Sequence, residues 1–147
     1  MSFEPDISTF RPDRPGVRKV LGDLEAEIME FIWARPANQG TIVRDVFEAL
    51  YERRRIAYTT VMNTMTRLAK KNLLLVEKEE QAYIYHATFT QQEFIARFVG
   101  RILEDLLVSF SDTTRERMSA LPDQQTVARM QQLVDEIAQR REAEEGE

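Results

Sequence analysis

The chain has 147 residues, of which 43% are hydrophobic and 31% are charged, and its formal net charge at pH 7 is −5. These values suit one compact domain, or a small domain with an extension, and exclude a chain that is disordered throughout. Cysteine is absent and His86 is the only histidine, which excludes disulfides, thiolate metal sites and cysteine nucleophiles. We therefore expect no metal site and no cofactor, with His86 packed as an ordinary strand residue.

The N-terminal part of the chain, residues 1–19, contains three prolines and lacks the apolar centre of a signal peptide. No stretch of the sequence approaches the roughly 20 consecutive apolar residues that a membrane-spanning helix needs. We expect a flexible N-terminal arm over residues 1–19 and no membrane insertion. A cytoplasmic location is also expected, since a chain without cysteine fits a reducing compartment.

Two short helices are predicted to follow the arm. The stretch LGDLEAEIMEFIWARP repeats apolar residues at spacings of three and four, with Gly22 as N-cap, Glu25 three residues later and Pro36 at the end. Thr41 is predicted to cap a second helix, IVRDVFEALYERR, whose apolar residues form one stripe.

A third helix is predicted to begin near Tyr58, with its apolar residues on one side. The opposite side collects hydroxyl, amide and basic groups and no carboxylate: Thr59, Asn63, Thr66, Arg67 and Lys70. The spans LLLVEK and AYIYHA follow, and their aromatic and β-branched residues predict a hairpin. Three helices and a hairpin is the order of a winged helix-turn-helix domain, which we assign to residues 20–89. The expected fold class is mainly α with a small β-hairpin wing.

Charge is distributed unevenly along the chain. Residues 44–78 hold eight basic and four acidic side chains, whereas residues 79–147 hold seven basic and fourteen acidic ones. Within the first of these ranges, residues 53–72 contain six basic side chains and no acidic one. This asymmetry predicts a part that binds a polyanion, attached to a part with a different role.

The polar side of the third helix carries groups that can read double-stranded DNA in the major groove. Arg67 could bind guanine and Asn63 adenine through paired hydrogen bonds, and threonine methyls could contact thymine. Basic residues beside this face could hold phosphates, although the acidic hairpin tip next to Lys78 is unfavourable for such a contact. The predicted DNA-binding residues are Thr41, Arg53, Arg54, Arg55, Thr59, Thr60, Asn63, Thr66, Arg67, Lys70, Lys71 and Lys78.

Beyond residue 90 the sequence predicts helices with more apolar surface than one small domain can cover. We assign residues 90–147 to a helical dimerisation segment that forms a homodimer. A helical cap folded back on its own chain is the alternative. The predicted dimerisation residues are Phe94, Phe98, Ile102, Leu106, Val127, Met130, Val134 and Ile137.

The spans LGDLEAEIMEFIW, YTTVMNTMTRLAKKNLL and YIYHA resemble the penicillinase and methicillin-resistance repressors (BlaI/MecI) over about residues 20 to 115. The resemblance implies a winged helix dimer on a palindromic operator, with C-terminal helices as the dimer interface. It also implies induction by proteolysis that depends on a membrane sensor with metalloprotease activity. The family cut lies between Asn and Phe in a VLNF-like stretch; the matching stretch here, LLVSF, puts it between Ser109 and Phe110, with Ser109 in place of Asn.

Other classes of function stay open on the sequence alone. A ligand-responsive winged helix regulator would differ from the repressor only in its trigger. A winged helix module for protein–protein interaction would not need a third helix whose outer face lacks carboxylates. An enzyme is not expected, because the sequence has no Gly-rich phosphate loop, no HExxH motif and no nucleophile elbow.

Overall fold

The computed structural model describes residues 4–120 and 124–145 of the chain, which divides into two compact units, Met1–Gly100 and Arg101–Glu147. Helices dominate, and the predicted class of a winged helix domain followed by C-terminal helices is confirmed. The elements are a 3-10 helix Gly16–Lys19, α1 Asp23–Ala34, α2 Val43–Tyr51, α3 Tyr58–Lys70, β1 Leu74–Glu79, β2 Ala82–Ala87, α4 Gln91–Ser109, α5 Ser111–Ala120 and α6 Gln124–Glu145.

Helix α1 begins and ends where the sequence predicts. The backbone N–H of Gly22 donates to Oε1 of Glu25 at 3.0 Å, so the carboxylate satisfies a donor that the first turn leaves without a partner. The helix ends at Ala34 because the residue before Pro36 is forced out of the helical region. The buried side of α1 carries Ala26, Ile28, Met29 and Ile32.

Helix α2 begins one residue later than predicted, and the prediction that Thr41 caps it is wrong. The N-cap is Ile42, whose backbone N–H donates to Oδ2 of Asp45 at 3.3 Å. Thr41 instead forms an antiparallel bridge with Tyr85, through backbone hydrogen bonds of 2.9 and 2.8 Å. A sequence pattern detects a capping residue only to within one position, and here the bridge to the hairpin decides its place.

Strands β1 and β2 pair in an antiparallel register that sets Leu74 opposite Ala87 and Glu79 opposite Ala82. The hairpin therefore lies where the alternation of aromatic and apolar residues predicts it. Asn72, at φ 67°, ends the turn after α3 in the left-handed conformation that asparagine tolerates better than most residues.

The core of the first unit includes two residues that the sequence assigned to dimerisation. Phe94 is 0% exposed and Phe98 is 6% exposed. The ring of Phe94 lies 5.6 Å from that of Trp33 and 5.5 Å from that of Phe98, measured between centroids. Their assignment to a dimer interface is wrong, because the start of α4 completes the core of its own chain.

The N-terminal segment, which we define as residues 4–20, packs against the rest of the first unit, whereas the sequence predicts an arm without such contacts. Pro5 and Val17 are buried. The backbone N–H of Asp6 donates to the carbonyl of Lys71 at 2.9 Å, and the Asn72 side chain donates to the carbonyl of Glu4 at 3.0 Å. The described residues before the 3-10 helix Gly16–Lys19 form no helix or strand, and their backbone groups bind the end of α3 instead.

The second unit contains the end of α4 together with α5 and α6, and it exposes much apolar surface. Leu106 is 41% exposed and Ile137 is 52% exposed, whereas Ile102 is half-buried. The other predicted dimerisation residues belong to helix α6, and the structure does not describe their side chains: Val127, Met130 and Val134. No helix within residues 4–120 and 124–145 is long and apolar enough to cross a membrane.

Candidate nucleic-acid interface

Helix α3 separates its apolar and polar residues as the sequence predicts. Val61, Met65 and Leu68 are fully buried. Around the opposite side lie exposed polar residues, with no carboxylate anywhere on the helix: Thr59, Thr60, Asn63, Thr66, Arg67 and Lys70. We call these six residues the polar face of α3.

The groups on the polar face differ in how far their hydrogen-bonding capacity is already used. The hydroxyl of Thr66 donates to the carbonyl of Met62 at 2.9 Å, so this hydroxyl can only accept further hydrogen bonds. Nη2 of Arg67 lies 3.4 Å from the hydroxyl of Thr64, a long and weak contact. Among the residues described, Asn63 has no side-chain partner, so its amide can still form a pair of hydrogen bonds.

Lys70 and Lys71 are adjacent, but the structure gives them different surroundings. Lys70 is exposed and forms no ion pair with a described residue. Nζ of Lys71 lies 2.9 Å from Oε2 of Glu25, whose side chain is buried. Glu25 therefore already engages the charge of Lys71, and Lys70 is the freer of these two predicted phosphate ligands.

The Lys71 contact also determines the titration of Glu25. Burial alone would raise the pKa of this carboxyl, since it disfavours the charged form. The hydrogen bonds from the Lys71 ammonium and the Gly22 backbone N–H outweigh burial, and the net effect lowers the pKa of Glu25 below its ordinary value. Glu25 is thus a structural anion that holds the end of α3 to the start of α1.

Three arginines follow α2, and they are not equivalent. Arg54 forms an ion pair with Glu27 on α1, so it already has a carboxylate partner. The guanidinium of Arg55 lies over the ring of Tyr51, 4.6 Å from its centroid. Arg53 is exposed and has no side-chain partner within the described ranges. Arg53 is therefore the most available phosphate ligand of the three.

On the hairpin, Nζ of Lys78 lies 5.8 Å from the ring centroid of Tyr83, its cross-strand neighbour. Lys78 is exposed, and it is followed in sequence by Glu79 and Glu80, which are also exposed at the hairpin tip. The exposed tip of the hairpin therefore carries one cation and two carboxylates, which makes it a poor site for a phosphate contact.

Thr41, which the sequence places among the DNA-binding residues, is not available for such a contact. The side chain is fully buried, and its hydroxyl accepts a hydrogen bond from Nη1 of Arg35 at 3.2 Å. A buried threonine cannot contact a nucleic acid, so its role is to join the hairpin to α2.

A shallow cavity of about 360 Å³ lies between the start of α2, α3 and the hairpin, and sequence analysis did not identify it. Ile42, Tyr58, Met62 and Tyr83 contribute exposed apolar surface to it, and Arg44 adds a charge. Apolar side chains beside a polar helix face can contact thymine methyl groups. The sign of this cavity in the sequence is the position of Met62, between the apolar and the polar side of α3.

The comparisons with known proteins agree with this arrangement. The sequence model of the penicillinase repressor family matches residues 21–139. Two curated relatives, each named Transcriptional regulator BlaI and found in Mycobacterium tuberculosis strains CDC 1551 / Oshkosh and ATCC 25618 / H37Rv, are 46% identical over 76 residues. The match covers 52% of this chain and 54% of each relative, so the chain spans about half the length of the curated relatives it matches. The family match extends over most of the sequence, and the chain belongs to the penicillinase repressor family.

Proposed function

We propose that the chain is a DNA-binding transcriptional repressor whose helix α3 reads an operator in the major groove. The polar face of α3 carries this proposal: it is exposed, lacks carboxylates and includes the unpartnered amide of Asn63. A helix of this kind fits the major groove, where each base pair presents a distinct pattern of donors and acceptors. Membership of a family described as penicillinase repressors supports the same function.

The side chains divide into groups that read bases and groups that hold the backbone. Asn63 and Arg67 are proposed to bind base edges, with Thr59, Thr66 and the apolar Met62 beside them. Phosphate contacts are assigned to exposed cations that have no carboxylate partner among the described residues: Arg44, Arg53, Arg55 and Lys70, with a weaker contribution from Lys78.

The test of base reading is selection of binding sites from a random duplex library with intact protein and with Asn63→Ala. Loss of a bidentate contact should relax the preference at one position of each half-site by about 1–3 kcal/mol. Gln92→Ala removes an exposed amide from the start of α4 and serves as the control. An unchanged consensus for Asn63→Ala would show that α3 does not read bases through this residue. Failure of the intact protein to select any consensus would favour a protein-interaction module.

We also propose that the repressor is a homodimer joined through its second unit. Exposed Leu106 and Ile137 support this, because such apolar surface is normally covered by a partner. Two-fold symmetry would then require a palindromic operator with half-sites about 10 base pairs, or a multiple, apart. Sedimentation equilibrium of the full chain, together with binding to duplexes of altered half-site spacing, tests both statements. A monomer with no spacing preference would refute them.

Proteolysis is the proposed inducing event, dependent on a membrane sensor with metalloprotease activity that acts on a cytoplasmic repressor. Ser109 ends α4 and Phe110 lies between α4 and α5, and both are exposed. Replacing this junction with the site of a sequence-specific protease would allow the chain to be cut in vitro. Operator affinity should fall toward the non-specific level after cutting, because the two reading units are no longer tethered. Cut protein that binds as tightly as uncut protein would exclude this trigger.

A further inference from the structure

We infer, on the basis of the proposed DNA-binding function, that the N-terminal segment adds a phosphate-binding site to the interface, with Arg11 as its principal ligand for the DNA backbone. The family match begins at residue 21, so residues 4–20 lie before the part of the chain that the family accounts for. The segment nevertheless borders α3 through a cationic cavity.

The segment holds Arg11 in a defined place. The backbone N–H of Arg11 donates to the carbonyl of Lys19 at 2.7 Å, and the N–H of Arg14 donates to the carbonyl of Arg11 at 3.2 Å. Nζ of Lys19 closes the same turn, since it donates to the carbonyls of Pro12 and Arg14 at 2.8 and 2.6 Å. A side chain on a preformed turn loses less entropy on binding than one on a disordered tail.

A cavity of about 290 Å³ lies between this turn, the start of α1 and α3. The hydroxyl residues Ser8 and Thr9 line it, whereas the segment's own carboxylates, Asp6 and Asp13, do not. Its charged lining consists of five cations and one carboxylate: Arg11, Arg18, Lys19, Arg67, Lys71 and Glu25.

Ion pairing leaves this lining positive. Glu25 is engaged by Lys71, and Arg18 forms ion pairs with Asp23 and Glu30. Arg11 has no side-chain partner in the described part of the chain, and Arg67 has only its long contact to a threonine hydroxyl. Unpaired cations around one cavity repel each other, and an anion between them removes that repulsion. Ser8 and Thr9 can donate hydrogen bonds to the same anion.

The place of the cavity favours a DNA phosphate over a small dissolved anion. Arg67 belongs both to the polar face of α3 and to the wall of this cavity, whereas Met62, on the other edge of the face, lines the cavity beside the hairpin. A helix in the major groove has a sugar-phosphate backbone along each edge. One edge of α3 is therefore flanked by the acidic-tipped hairpin and the other by the cationic turn. The turn supplies the phosphate contact that the acidic tip is poorly suited to make.

The experiment compares full-length Arg11→Ala with full-length Arg14→Ala by fluorescence anisotropy on operator and non-operator duplexes. Both variants lose one positive charge from the same segment, but Arg14 lies outside the cavity and pairs with Asp23. We expect Arg11→Ala to weaken binding to both duplexes. The ratio of the affinity of intact protein to that of Arg11→Ala should fall about 3.5-fold between 50 and 200 mM salt. This corresponds to the loss of one phosphate contact, which changes the slope of log affinity against log salt concentration by about 0.9. Circular dichroism and thermal unfolding verify that both variants remain folded.

Arg11→Lys should keep most of the salt slope, since it retains the charge. Equal affinities and slopes for Arg11→Ala and Arg14→Ala would overturn the inference while leaving the reading role of α3 intact. Titration of the DNA-free protein with inorganic phosphate tests whether the cavity binds a dissolved anion instead of a DNA phosphate. Phosphate binding that depends on Arg11, with unchanged operator affinity in Arg11→Ala, would identify a site for a dissolved anion and refute the DNA contact. An intact chain that binds no duplex would refute the proposed function as well.

Discussion

Lys70 and Lys71 are neighbours at the end of α3, and the same substitution should affect them in different ways. Lys71→Met should destabilise the fold without removing a DNA contact. Lys70→Met should remove a phosphate contact without destabilising the fold. Methionine retains much of the aliphatic length of lysine and removes only the charge, so the comparison isolates the ammonium group.

The magnitude for Lys71 follows from the surroundings of its partner. Nζ of Lys71 lies 2.9 Å from Glu25, and the two side chains are only 26% and 11% exposed. Without Lys71, the buried carboxylate keeps, among its hydrogen bonds to described residues, the one from the Gly22 backbone. Leaving a buried charged group without one of its partners lowers the free energy of unfolding by about 1–3 kcal/mol. The exposed Lys70 should change it by less than about 0.5 kcal/mol.

The pH dependence gives an independent check. The folded protein lowers the pKa of Glu25 below its ordinary value of 4.5, so its ionised form contributes stability that is fully present above that pH. This contribution is lost as the pH falls through the folded-state pKa. The stability difference between intact protein and Lys71→Met should therefore be largest near neutral pH and should shrink below about pH 4.5.

Urea denaturation followed by circular dichroism at pH 7 and at about pH 4 measures the stability of both variants. Anisotropy on a duplex at several salt concentrations measures binding, and Lys70→Met should reduce the salt slope by about 0.9. Equal stability of Lys70→Met and Lys71→Met at pH 7 would refute the structural role of Lys71. An equal loss of salt slope in Lys71→Met, measured on folded protein, would identify Lys71 as a phosphate ligand.

Two further pairs of variants test the packing. Phe98→Glu should unfold the first unit, because it places a charge in the core. Leu106→Glu should leave circular dichroism unchanged and yield monomer in sedimentation experiments. A folded Phe98→Glu variant or a dimeric Leu106→Glu variant would contradict these assignments. Gly40→Ala should lower the free energy of unfolding by about 1–3 kcal/mol, because the added Cβ would lie 2.2 Å from Cγ2 of Ile84. Gly100 lies on helix α4, where an added Cβ meets nothing within 4 Å, so Gly100→Ala should raise the free energy of unfolding by about 0.5–1 kcal/mol. If urea denaturation found Gly40→Ala to be the more stable variant, the space around Gly40 would not be as tight as the structure shows.

The parts of the fold that sequence analysis predicted correctly depend on local signals. Gly22 and Glu25 form a capping pair three residues apart, and Pro36 stops the helix they begin, so α1 is determined within its own sequence. The polar face of α3 follows from helical periodicity alone. The hairpin follows from its alternating aromatic residues and the turn between them.

The errors concern contacts between residues far apart in sequence. Periodicity identified the apolar side of α4 but not the surface that covers it, and Phe94 is covered by Trp33 of the same chain, 61 positions earlier. Thr41 was displaced from its predicted cap by pairing with Tyr85. The charge of Lys71 is visible in the sequence, but its ion pair is not, because Glu25 lies 46 positions away.

The same reasoning explains how a chain of net negative charge can bind a polyanion. The first unit contains fourteen basic and fourteen acidic side chains, so its formal charge is zero and predicts no attraction to DNA. Within residues 4–100, ion pairs with carboxylates engage six of its cations: Arg14, Arg18, Arg35, Arg54, Lys71 and Arg97. The cations that form no such pair with a described residue include Arg67 and Lys70 on the polar face of α3, and Arg11 beside it. Because counterion release depends on the cations that contact phosphate, the salt dependence of binding should follow these unpaired side chains and not the net charge.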